Sequence, residues 1–159
     1  MHFRAVSFFI WCENTQLALW IKGTTWVFAI IETIHIIGLA LLLGTMLIVD
    51  LRLLGVGMRK QATADLASEL APWIWVGLAV MILTGIPMFM SEAVRLYGST
   101  PFLIKMVFLF FALLFHFTLH RKATASKVET AWQGKVAACV SLTCWLGVAL
   151  AGRVIAFLP

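Results

Sequence analysis

The sequence predicts an all-α membrane protein, a four-transmembrane-helix bundle preceded by a short N-terminal interfacial helix. Hydrophobic residues make up 62% of the chain and charged residues only 12%, and the mean hydropathy is +1.00. The apolar runs between polar connections are each about 20 residues long, which is the length that crosses a bilayer core of about 30 Å. We therefore expect one integral-membrane domain over residues 1–159.

The elements can be predicted in chain order. An interfacial helix is expected first, with one apolar face made by Phe3, Val6, Ile10, Leu17 and Trp20. The four spans are expected at about 26–49, 71–90, 102–119 and 136–158. Gly85 and Pro87 predict a kink near the end of the second span, and Thr100-Pro101 predicts the start of the third.

The basic residues predict the orientation of these spans. Seven Lys and Arg residues fall in the loops on one side and three on the other. We therefore expect a multi-pass protein of a bacterial inner membrane with both termini in the periplasm. The basic residues are scattered singly between apolar runs, so we expect lipid and no nucleic acid as a partner. A homo-oligomer is compatible with the sequence.

Ionisable residues inside the predicted spans are the candidate functional residues, because a charge in hydrocarbon is costly. Glu32 and His35 lie in the first span, Lys105 and His116 in the third, and Arg153 in the fourth. Helical rise places all of these except His116 in the outer leaflet.

His35 is the strongest candidate for a metal ligand. A neutral imidazole in a helical bundle can ligate haem iron, although it can also serve as a hydrogen-bonded core residue. His116 or Lys105 would be the second axial ligand. Each is expected about 8 Å in height from His35, one on either side, so the sequence does not choose between them.

Glu32 and Arg153 have two interpretations. They are expected at matching depth, so the simpler interpretation is a buried ion pair between the first and fourth spans. In the alternative, Arg153, with Lys105, binds haem propionates and Glu32 transfers protons. Several methionines, including Met81 and Met88, raise the further question of a copper site, since thioethers are soft ligands.

A resemblance to known families enters at these residues. The pattern of His35, the DLRLLG string at 50–55 and Pro101-Phe102 followed by Lys105 resembles an uncharacterised family of small bacterial integral-membrane proteins. More distantly it is similar to the copper-resistance protein D fold group and to the haem-containing four-helix membrane protoporphyrinogen oxidase. The oxidase pattern is matched by His35, Gly44, Arg52, Lys105 and His116, which implies a haem-binding bundle.

Three functions are compatible with the sequence. The first is a haem b protein with an electron-transfer or oxidoreductase-associated role, whose partner is a quinone or a redox protein. The second is a copper or small-solute permease, and the third is a cofactor-free membrane scaffold or assembly subunit. No residue is assigned a catalytic role, and the sequence leaves open whether the protein is an enzyme.

Overall fold

The computed structural model describes residues 2–57, 61–117 and 131–157, and all regular secondary structure in these ranges is helical. The helices are α1 (His2–Glu13), α2 (Gln16–Gly23), α3 (Thr25–Leu53), α4 (Thr63–Ser91), α5 (Ala93–Tyr97), α6 (Thr100–Phe115) and α7 (Ala131–Phe157).

Three of these helices are long and apolar enough to cross a membrane. They are α3, α4 and the Trp132–Ile155 part of α7, whereas α6 is apolar but has only 16 residues. The all-α class is therefore confirmed within the described residues, and three candidate spans with one shorter apolar helix support a membrane protein. The end of the predicted third span, at residues 118–119, lies outside the described residues.

The N-terminal segment differs from the single interfacial helix that the sequence predicts. The first helix ends before Asn14-Thr15. There the Thr15 hydroxyl accepts a hydrogen bond from the Ala18 N–H (3.4 Å) and caps the start of a second helix. A threonine oxygen stabilises a helix start in this way because the first N–H groups of a helix have no partner within it. The predicted apolar face from Val6 to Trp20 is consequently wrong, since its residues belong to two helices.

Two helices extend beyond the predicted spans. The first span was expected at about 26–49, whereas α3 runs to Leu53 and Asp50 is fully buried. The helix ends where Gly55 adopts a φ of 77°, a left-handed conformation that glycine takes without strain. The polar connection expected up to Glu69 is partly helical, because α4 begins at Thr63.

The bundle has the lateral order α4, α3, α7, α6, since extensive packing joins α3 to α4, α3 to α7, and α6 to α7. A shared apolar core contains residues of all four helices, among them Leu42 of α3, Ile74 of α4, Ala112 of α6 and Val148 of α7. The helices α1, α2 and α5 pack at the end of the bundle where α3 and α6 begin. This arrangement leaves a cavity between that end and the core.

Candidate functional site

A cavity of about 590 Å³ lies between the four bundle helices and the short helix α5. Its walls are mostly apolar, and its ionisable lining residues are Glu32, His35, Glu92, Arg95, Lys105 and Arg153. Four of the five residues predicted from the sequence therefore meet in one place. The fifth, His116, does not line this cavity.

The imidazole of His35 is held by α4. Its Nδ1 lies 2.7 Å from the hydroxyl oxygen of Thr84, and that hydroxyl donates its single proton to the carbonyl of Val80 at 2.6 Å. Because the Thr84 proton is already used, Nδ1 must carry a hydrogen and donate it to Thr84. The lone pair of the neutral ring is then on Nε2, which leaves that atom able to bind a metal or accept a proton.

Gly85 provides the space that the ring occupies. A Cβ atom added at this position would lie 3.3 Å from Cε1 of His35, closer than ordinary van der Waals contact. The sequence interpretation took Gly85 as part of a kink with Pro87. In the structure α4 continues through both residues to Ser91, and the missing side chain serves the packing of His35.

Lys105 of α6 lines the same cavity as His35 of α3. Leu42 and Ala112 belong to one core cluster, and His35 and Lys105 each lie seven residues before them on helices that run in the same direction. His116 comes after Ala112 and is about 16 Å from Lys105 along the helix axis. The cavity lining therefore distinguishes the two candidate ligands, because Lys105 shares the cavity with His35 and His116 does not.

The predicted ion pair between Glu32 and Arg153 is not formed. Both residues line the cavity, but the salt bridges of the described part of the chain do not include either one. The Arg153 guanidinium instead lies over the ring of Phe157, 4.8 Å from its centroid. An arginine and an aromatic ring one helical turn apart attract each other in this way.

The structure also brings to the cavity residues that the sequence interpretation missed. Helix α5 was expected to be a loop, yet it contributes Arg95, whose guanidinium contacts Glu92 (3.1 Å) and the Ile155 carbonyl (3.0 Å) near the end of α7. A cation is favourable there because the last carbonyls of a helix are unpaired. Helix α5 has only five residues, too few for a periodic pattern that the sequence could show.

Two thioether side chains complete the lining on α4. Met81 and Met88 lie one turn on either side of Thr84 and Gly85, so α4 presents all four positions on one face. In the described residues no group of three or more His, Cys, Asp or Glu side chains is arranged to hold a metal. A metal bound in this cavity would therefore need sulfur, a cofactor or water to complete its coordination.

Comparisons with known proteins give a family without an assigned activity. No curated protein and no solved structure matches the chain. The model of DUF6644, a family of unknown function, matches residues 8–158, and the chain therefore belongs to that family.

Proposed function

We propose that the cavity binds haem b and that the protein transfers electrons in a bacterial inner membrane. The observation that carries this proposal is the hydrogen bond between His35 and Thr84, which leaves Nε2 of a neutral imidazole available. Histidines that ligate metals characteristically use one ring nitrogen for the metal and the other for such a bond. Haem bound there would supply a one-electron redox centre that a quinone or a redox protein could reach.

The rest of the cavity fits an amphipathic cofactor of this type. Its volume of about 590 Å³ is in the range of cofactor pockets, and its apolar walls suit a macrocycle. Arg153 is suited to the propionate carboxylates, and Lys105 either joins it there or ligates the iron as a neutral amine. As the second axial ligand we favour Lys105 over His116, because Lys105 lines the cavity with His35 and His116 does not.

The proposed membrane arrangement uses α6 as a fourth span. Its 16 residues are mostly apolar, and it packs along α7 beside the three candidate spans. With the charge distribution of the loops, this gives a bundle with both termini in the periplasm and the cavity near the outer surface. The resemblance to the haem-containing oxidase and the copper-resistance group is compatible with such a bundle.

An absorption spectrum of the detergent-purified protein, before and after reduction with dithionite, tests the proposal. We expect a Soret band and, after reduction, the sharp α band of a b-type haem. A pyridine haemochrome assay and elemental analysis should give iron in the same amount as haem. A protein that remains colourless after expression with added haem would contradict the proposal.

Copper transport is the second candidate, and one observation favours it. Met81 and Met88 line the same cavity as His35, and two thioethers with an imidazole form a soft donor set that suits Cu(I). This candidate predicts copper and no haem in the purified protein. Replacing Met88 with Leu should then lower the copper content, whereas Met90→Leu, a change outside the cavity lining, should leave it unchanged.

A further inference from the structure

We propose that the cavity is a site for an acidic amphiphile, a molecule with a carboxylate head and an apolar body, which enters from the bilayer between α4 and α6. This goes beyond the proposed function, since it needs neither iron nor His35. Haem and the acid would occupy the same cavity in turn, so binding of the acid is measured on the haem-free protein. The charges of the cavity support the acidic head, and the packing of the helices supports the lateral route.

The cavity has an excess of positive charge. Three cations and two carboxylates line it, and one of each, Arg95 and Glu92, are paired at 3.1 Å. Lys105, Arg153 and Glu32 remain, and the salt bridges found within the described ranges do not include them. The Lys105 side chain lies along Gly152 of α7, and Arg153 of the same helix also lines the cavity, so both cations face one enclosed space. A carboxylate bound in this space would neutralise the excess charge.

The side of the bundle between α4 and α6 is the opening that the packing leaves. The helix pairs α3–α4, α3–α7 and α6–α7 pack extensively, whereas α4 and α6 do not, although both line the cavity. At the level of the cavity these two helices meet through the stacked rings of Phe89 and Phe102, whose centroids are 5.7 Å apart. Both rings line the cavity, so their separation would open it to lipid.

The end of the bundle is closed by α5. Ala93 and Leu96 are buried, and Arg95 binds the end of α7. Helix α5 is held in turn by Glu13 at the end of α1, whose carboxylate accepts the Val94 N–H at 2.7 Å. Entry by this route would require α5 to separate from both α1 and α7. The lateral route requires Phe89 to separate from Phe102 and to shift against the ring of Phe9 of α1, whose centroid is also 5.7 Å away.

The head group can be tested with cis-parinaric acid, a fluorescent fatty acid, and its uncharged methyl ester. The protein is placed in lipid nanodiscs, and binding is measured by energy transfer from its tryptophans. Lys105→Met with Arg153→Met should weaken binding of the acid about tenfold and leave the ester unchanged, because one charge-assisted contact is worth about this factor. Lys105→Arg should retain binding, and Lys135→Met, which changes an exposed lysine of α7, is the control. Equal loss of acid and ester, or no loss of either, would overturn the proposal.

The route can be tested by the rate at which the acid binds. Phe89→Ala and Phe102→Ala should each accelerate uptake about two- to tenfold, the range that corresponds to loss of one aromatic pair. Trp75→Ala is the matched control, since Trp75 pairs with Phe117 across the same two helices at the far end. Unchanged rates in both Phe variants, together with faster uptake in Glu13→Gln, would show entry past α5 and overturn the lateral route.

The His35→Ala variant separates this inference from the haem proposal. It should lose any Soret band and still bind the acid, because Lys105 and Arg153 remain. Loss of acid binding in a folded His35→Ala protein would contradict the acidic-amphiphile site, and a colourless native protein that binds the acid would contradict only the haem proposal.

Discussion

The imidazole of His35 is fixed by α4, a neighbouring helix, through the Thr84 hydroxyl. That hydroxyl is itself fixed, since its proton goes to the Val80 carbonyl one turn earlier. A side chain that bonds to its own helix therefore determines which nitrogen of a histidine on another helix is protonated. The chemistry of His35 depends on this contact as much as on its position in an apolar span.

Thr84→Val should remove the hydrogen bond between Thr84 and His35 with little change in side-chain volume. We expect cofactor affinity to fall about 10–100-fold, the usual effect of losing a partner of a metal-bound histidine. Titration of the haem-depleted protein with haemin would measure it. Thr143→Val is the control, because Thr143 is exposed on α7 and its hydroxyl bonds to the Cys139 carbonyl of the same helix. Equal losses in the two variants would contradict a specific role for Thr84.

At the residue scale, the sequence predicted which residues line the site better than it predicted their hydrogen-bond and ion-pair partners. The cost of burying charge identified Glu32, His35, Lys105 and Arg153, and these four line one cavity. Their partners could not be predicted, because they depend on the register between helices. A threonine in an apolar run, such as Thr84, is no different in sequence from one that bonds only to its own helix.

The elements α3 and α4 approach closely where glycines replace larger side chains. A Cβ at Gly38 would lie 2.6 Å from Cγ1 of Val80, and one at Gly77 would lie 3.0 Å from Cβ of Leu42. Small residues permit this approach in membrane helices, where packing drives association. The contact also brings Thr84 to His35, since Gly38 is one turn from His35 and Val80 one turn from Thr84.

Gly38→Ala should therefore destabilise the bundle by about 1–3 kcal/mol, the usual cost of overpacking. The measurement is the thermal unfolding midpoint in detergent. Gly44→Ala, in the same helix, places a Cβ where no atom lies within 4 Å, and it should leave the midpoint unchanged or raise it. A similar decrease in both variants would show that the effect is not due to the contact with Val80.

The contact of the N-terminal helices with α5 should weaken at low pH, because it depends on the Glu13 carboxylate. The Glu13 carboxylate accepts hydrogen bonds from Lys22 of α2 and from the Val94 N–H of α5, and the bond from Lys22 is the main cause that lowers the Glu13 pKa. A lowered carboxyl pKa contributes stability that is fully present above the ordinary glutamate value of about 4.3, and that is lost as the pH falls through the lower value in the folded protein.

Amide hydrogen exchange of α1, α2 and α5, corrected for the intrinsic rate at each pH, measures this attachment. Protection should decrease on acidification, and Glu13→Gln should show reduced protection at neutral pH. Glu69→Gln, an exposed glutamate of α4, should behave like the native protein. Unchanged protection of α5 in Glu13→Gln would contradict the attachment.

Helix boundaries show where sequence reasoning at the element scale fails. Apolar runs located α3, α4 and α7. Hydropathy, however, predicts where a segment leaves the hydrocarbon core of the bilayer, whereas a helix ends where its backbone hydrogen bonds stop. The buried Asp50 of α3 and the polar first turns of α4 were therefore excluded from the predicted spans. The helix α5 was missed because five residues are too few for a periodic pattern.

Across the whole molecule, the site follows from the order of the helices. Extensive packing joins three helix pairs and leaves α4 and α6 apart, so a cavity forms between the shared core and α5. The sequence predicted a bundle but not this order, because all of its spans are apolar on every side. This order brings Lys105 and His35 to one cavity, whereas His116 lies outside its lining.

The absorption spectra of His35→Ala and His116→Ala, purified in parallel with the native protein, test the central claim most directly. Both variants lose one histidine, but only His35 lines the cavity. We predict that His35→Ala loses the Soret band and that His116→Ala keeps it, with both proteins folded. A Soret band that survives in His35→Ala, or that is lost in His116→Ala alone, would contradict the account.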